Sequence, residues 1–274
     1  MRIRIHQSTQ YAYDEPIRAA VQILRTTPRP NDGQHISLWR VETDADARLK
    51  PGEDAFGNIT HALYIDGAIQ RLRLTVVGEV ETSDTGGVLR GGLERLPVQV
   101  FLRETPLTLA GVDLRSYAAD LTVGYGDRLD RLHALLAAIH RDIEVSADAV
   151  NPDTNAAKAF SQRHGAVQDL AHIFISAARH IGAPARYVSG HLFRQDEDIA
   201  HNAAHAWAEA HVDGLGWVGF DPLTGACPTD AYVRVSCALD SLGASPVRGA
   251  RFGGGKEQLD ISLSVAAEPG WRGQ

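Results

Sequence analysis

Through the first eighty residues apolar side chains recur at every second position, which predicts β-strands. Ile3 and Ile5, then Tyr11 and Tyr13, alternate with polar neighbours over residues 2–13. Residues 21–27, 36–43, 59–65 and 69–81 are similarly rich in β-branched and aromatic side chains. Turn chemistry separates them: Pro28 and Pro30 with Asn31-Asp32-Gly33, then Pro51-Gly52, Gly57-Asn58 and Asp66-Gly67. Short strands in succession predict an antiparallel β-sandwich-like domain over residues 1–84. A glycine-rich passage over 85–92 and an aperiodic stretch after it predict a linker over 85–112.

Beyond residue 112 the period changes. Leu129, Leu132, Leu136, Ile139 and Ile143 form one helical stripe. A short helix is predicted over 155–162, capped by Thr154 or Asn155. A longer one is predicted over 166–181, with Leu170, Ile173, Phe174, Ala177 and Ile181 on its buried face and Gly182 and Pro184 as its stop. Strands return over 185–193, 205–212 and 217–220. A final strand carries Leu259, Ile261, Leu263 and Val265 after the loop Gly253-Gly254-Gly255. The fold class is therefore α+β, with the sandwich-like domain followed by a core domain over 113–274 of helices packed on an antiparallel sheet.

Composition narrows the function classes. A chain of 274 residues can bury a core without covalent staples. A net charge of -7 argues against nucleic acid as a partner, since phosphate binding wants a basic face. Two cysteines, Cys227 and Cys237, make neither a disulfide framework nor a CxxC knuckle. Residues 1–5 lack the apolar run of a signal peptide, and no stretch approaches the roughly 20 apolar residues of a membrane span. The expectation is a cytoplasmic protein with no membrane partner, and no feature specifies an oligomeric state. His201 and His205 are four apart, with His172, His191 and His211 nearby, but the spacing is not HExxH. Neither a metal site nor a cofactor is expected.

Two strands could carry chemistry. The first opens His205-Ala206-Trp207-Ala208-Glu209, and the second runs Trp217-Val218-Gly219-Phe220-Asp221. With His211 opposite Trp217, Trp207 faces Asp221 and His205 lies diagonal to it, at roughly 7–8 Å between backbones. A register slip of one residue would put the two on opposite faces. His205 is then a candidate base and Asp221 the group that orients it. The plainer alternative is a hydrogen-bonded pair in a core where Trp207 and Trp217 are packing residues.

These segments resemble the bacterial transglutaminase-like proteins, which carry a β-rich region ahead of a transglutaminase core in the papain-like thiol-enzyme superfamily. The resemblance spans nearly the whole chain. It rests on Arg2-Ile3-Arg4-Ile5-His6 with Tyr11-Ala12-Tyr13-Asp14, on Asp54-Ala55-Phe56-Gly57-Asn58, and on Ala185-Arg186-Tyr187-Val188-Ser189-Gly190. The His205 and Asp221 strands fit it too, as does Cys227-Pro228 followed by Tyr232-Val233-Arg234-Val235. At the helix start the family reads Gly-Val-Cys-Gln-Asp, followed closely by Ala-His. This chain reads Gly165-Ala166-Val167-Gln168-Asp169, then Ala171-His172.

The resemblance implies that Val167 occupies the nucleophile position, with His205 and Asp221 as the residual triad and Gln168, Asp169, His172 and Trp207 as binding residues. In such enzymes the helix amino terminus and a neighbouring His favour the thiolate. Valine has neither a lone pair nor a proton to lose, and deleting a triad nucleophile costs about 10⁶ in kcat. The implied function is that of a catalytically inactive homologue which keeps the cleft and binds a peptide, protein or small ligand. The alternatives are an active cysteine peptidase or amidase-type hydrolase, with its Cys engineered away or replaced by Cys227, and a structural assembly subunit beside an active paralogue. Val167 could also be plain helical core beside Leu170 and Phe174.

Overall fold

The computed structural model describes residues 1–146, 154–194 and 204–268. Its elements run β1 (Arg2–Thr27), β2 (Gln34–Thr43), β3 (Arg48–Glu53), β4 (Ile59–Thr82), β5 (Val88–Leu89), α1 (Val112–Thr122), α2 (Arg128–Asp142) and β6 (Glu144–Val145). Then come α3 (Ala156–Gln162), β7 (His164–Gly165), α4 (Val167–His180), β8 (Ala185–Leu192), β9 (His205–Val212), β10 (Gly216–Phe220), β11 (Tyr232–Ala238), β12 (Val247–Gly253) and β13 (Glu257–Glu268).

Two long strands, β1 and β4, pair antiparallel along their length and form the spine of the first sheet. Their register shifts between Ala12 and Ile17 and again between Ile17 and Ala19, as bulges do where strands bend. Tyr11, Tyr13, Leu72 and Leu74 on one side of the bend share an apolar cluster with Ala20, Leu24, Leu63 and Ile65 on the other. The bent sheet thus closes on its own inner face, which makes it sandwich-like.

Asp66-Gly67 and Pro51-Gly52 are not turns, as their composition suggests, but lie inside β4 and β3. Gly67 takes a φ of 144°, an angle open to glycine, so the strand bends without ending. Pro51 needs no ladder donor because β3 is, among the described residues, an edge strand paired only with β4.

The first sheet is completed from the far end of the chain: β12 pairs with β1 over Ile17 to Leu24, and β13 pairs with it over Arg2 to Tyr13. The sequence places both stretches in the core domain over 113–274 and predicts a strand for the second alone. Local periodicity identifies a strand but carries no record of which distant strand it joins. The expected linker is also structured. β5 adds to the edge of β10, Val98–Leu102 and Pro106–Thr108 form 3₁₀ turns, and Phe101 is buried edge-on to Trp217 at 5.0 Å.

The second sheet, ordered β11-β8-β9-β10-β5, is antiparallel throughout. Ala206, Ala208 and Ala210 on one face of β9 share the main core cluster with α4, and such small side chains let the helix lie close. The other helices pack against α4 as well. Consequently every residue from Asp169 to Arg179 is buried, where the sequence predicts a single apolar face. Asp127 caps α2 by accepting from the Leu129 N–H at 2.8 Å, and Asn155 caps α3 by accepting from the Lys158 N–H at 2.9 Å. Among the described residues no helix is long and apolar enough to cross a membrane.

Candidate active site

β9 and β10 pair with Trp217 opposite His211 and Phe220 opposite Ala208, the register expected from the sequence. His205 opens β9, Asp221 follows β10, and their side chains meet: His205 Nε2 lies 2.7 Å from Asp221 Oδ2. Asp221 is fully buried. Burial pushes its carboxyl up, but the hydrogen bond and charge of His205, the Tyr232 hydroxyl and the Leu223 N–H together hold it below the usual carboxylate range. The Tyr232 hydroxyl donates to Oδ2 at 2.8 Å and the Leu223 N–H to Oδ1 at 2.9 Å. An ionised carboxylate only accepts, so Nε2 of His205 carries the proton and Nδ1 is the nitrogen left for other chemistry.

Aromatic rings fix the imidazole. Trp207 stacks on His205 with ring centroids 6.0 Å apart, and Tyr232 meets Trp207 edge-on at 5.5 Å. Gly190 makes room for that indole, since a Cβ there would come within 2.6 Å of the Trp207 ring and 2.2 Å of the Val233 carbonyl oxygen.

The other predicted residues surround the start of α4. Val167 is its first residue, half-buried against the cluster that contains Ala206 and Phe220. Gln168 is half-buried. Asp169 accepts from the Ala166 N–H at 2.9 Å through Oδ2, satisfying one of the free donors of a helix start. A Cβ on Gly165 would press on Asp169 at 2.8 Å, so the glycine is what lets that carboxylate fold back. Burial pushes the Asp169 carboxyl up. His172, fully buried, accepts from the Ser241 N–H through Nε2 at 3.1 Å. Its Nδ1 has no partner among the described residues, and burial lowers its pKa to about 4. It is a neutral core ring rather than a base.

Sequence reasoning missed a second buried set on the His205 face of the sheet. Arg186 Nε donates to Glu209 Oε2 at 2.6 Å and Arg234 Nε to Oε1 at 2.7 Å. Burial pushes Glu209 up, but the two guanidiniums outweigh it and leave the carboxyl at about 2. Charges at alternate positions of otherwise apolar strands were the available signal, since buried charges need partners. Trp207, Tyr232, Arg234 and Gln34 help line a cavity of about 70 Å³ where the two sheets meet.

A helix start, a strand opening on histidine and a strand closing on aspartate follow one another here in the order of a known superfamily, and the match is explicit. Residues 115–222 match the transglutaminase-like superfamily, and residues 3–81 match the bacterial transglutaminase-like N-terminal region. Residues 115–222 belong to the transglutaminase-like superfamily. An uncharacterized protein of Mycobacterium leprae is 27% identical over 281 residues, covering 96% of this chain and 98% of that one. An uncharacterized protein of Mycobacterium tuberculosis is 24% identical over 289 residues, covering 96% and 92%. A candidate cysteine protease from Cytophaga hutchinsonii, known from a crystal structure, superposes with a TM-score of 0.77 at 18% identity over 97% of this chain and 90% of that one, a likeness of fold.

In this transglutaminase-like protein Cys227 is half-buried, and burial raises its thiol, the opposite of an activated nucleophile. His191 is buried at 6.5 Å from the Trp39 ring, inside the junction of the two sheets. His201, weighed as a metal ligand, lies outside the described residues.

Proposed function

We propose that this chain is a catalytically silent transglutaminase-like protein that keeps the family cleft and uses it to bind a peptide, protein or small ligand. One observation carries the reading: α4 opens on Val167, the position the resemblance aligns with the family's thiol, while the His205–Asp221 pair makes a 2.7 Å contact. A hydrocarbon side chain cannot add to an amide carbonyl, so the acyl-enzyme route of thiol hydrolases and transamidases is closed at this position. Asp221 nevertheless keeps three donors in a buried site, an arrangement of the kind that orients an imidazole. Cys227 is poorly suited to substitute, because burial pushes its thiol toward the neutral form.

Restoring the sulfur tests this. The wild-type protein should show no thiol-dependent hydrolysis or transamidation of peptide amides. Val167→Cys should introduce a thiol that titrates below the ordinary value of about 8.5 and returns toward it when combined with His205→Ala. Turnover by the wild type, or a new thiol of ordinary pKa indifferent to His205, would refute the reading.

A further inference from the structure

Among the described residues β11 pairs only with β8 and forms one edge of the core sheet, and an open strand edge leaves backbone donors and acceptors unused. Two amide side chains from the amino-terminal region, Gln34 at the start of β2 and Asn58 in the β3–β4 turn, occupy that edge. Gln34 Nε2 donates to the Arg234 carbonyl at 2.9 Å while its Oε1 accepts from the Arg234 N–H at 2.8 Å. Asn58 does the same at Cys237: its Nδ2 donates to the carbonyl and its Oδ1 accepts from the N–H, both at 2.8 Å. Each side-chain amide thus reproduces the two-bond contact of a neighbouring strand, and both side chains are buried. Asn58 is itself held by Asp54, whose Oδ2 accepts from Nδ2 at 3.0 Å and from Arg25 at 2.7 Å.

Two residues before Arg234, the same strand carries Tyr232, the residue that donates to the Asp221 oxygen bound by His205. We propose that Gln34 and Asn58 are positioning residues for the His205–Asp221 pair, acting from the amino-terminal region through the backbone of β11 and the Tyr232 hydroxyl. The amino-terminal region is then a part of the site's frame, because the strand that orients Asp221 has its outer edge closed by that region alone among the described residues. The inference concerns the geometry of the pair and does not rest on whether the site turns over.

The carboxyl carbon of Asp221, followed by carbon-13 NMR against pH in the otherwise native protein, reads the effect. Tyr232→Phe removes one of its donors and should raise the Asp221 titration by about one pH unit. Gln34→Ala and Asn58→Ala should each move it in the same direction. Gln34→Ala combined with Tyr232→Phe should move it no further than Tyr232→Phe alone, since the two lie on one route. Leu63→Ala, in the far apolar cluster, should lower the melting temperature and leave Asp221 unmoved. If Gln34→Ala does not fold, Gln34→Glu keeps the acceptor for the Arg234 N–H, loses the donor, and should give a smaller shift of the same sign. An Asp221 titration unchanged in the Gln34 and Asn58 variants, or shifts that add fully to that of Tyr232→Phe, would overturn the proposal and leave the two amides as edge caps only.

Discussion

Arg186 and Glu209 lie 2.6 Å apart within the core sheet with side chains only 2% and 4% exposed, and the Arg186 guanidinium also sits 3.9 Å over the Trp217 ring. Arg234 takes the other carboxylate oxygen, and Glu94 takes the far side of Arg186 at 2.9 Å. One buried and one half-buried cation thus converge on one buried anion. Glu209→Ala would leave both guanidiniums without it and should cost about 3–5 kcal/mol, since breaking a buried pair strands its partner. Urea denaturation measures this, and a loss under about 1 kcal/mol would mean the network relaxes freely.

Acid should destabilise the protein in two phases. His172 and His191 are held by burial at about 4 against an ordinary 6.5. As pH falls from 6.5 toward 4, the unfolded chain binds protons that the folded chain refuses, so stability declines through that window, by about 3 kcal/mol per residue at most. Glu209, at about 2 against an ordinary 4.5, contributes stability that is complete above 4.5 and lost as pH falls toward 2. Denaturation curves at pH 7, 5.5, 4 and 3 should show both phases, and His191→Gln should flatten the first. A stability flat between pH 7 and 4 would contradict the burial of the two rings.

Neither native thiol should react quickly. Burial raises Cys227, and Cys237 is buried outright. Iodoacetamide at pH 7.5 should label both slowly in the folded protein and readily once guanidinium unfolds it. Rapid stoichiometric labelling of Cys227 in the native state would return it to consideration as a nucleophile.

The amino-terminal sheet should not fold without the end of the chain. A fragment of residues 1–84 leaves the outer edge of β1 without β12 and β13 and exposes Ile3 and Ile5, which pack with Leu263 and Val233. Circular dichroism of that fragment should show an unfolded chain, and truncation after residue 246 should expose the same edge to proteolysis. A cooperatively folded 1–84 fragment would show that β12 and β13 are accessory.

How far each feature was legible depended on the range of the interaction behind it. Alternation and the 3.6-residue stripe mark β9, α2 and α4 because burial acts on neighbours along one element. The His205–Asp221 contact could be inferred because a hairpin of known register ties residues only sixteen apart. The bent course of β4 through Asp66-Gly67 could not, because pairing to β1 outweighs the turn propensity of that dipeptide.

By itself the sequence determined the fold class, the family resemblance and the valine at the start of α4, and it offered the register that joins His205 to Asp221 as one of two readings. Each is set by covalent order or by short-range periodicity. Only the tertiary structure decided that the last two strands complete the first sheet, and that Tyr232 shares Asp221 with His205. It alone decided that Glu209 holds Arg186 and Arg234, and that Gln34 and Asn58 close the edge of β11. Those contacts join residues as distant as Arg2 and Glu268, and nothing in a local pattern says which distant partner will satisfy a buried amide or charge, only that one must.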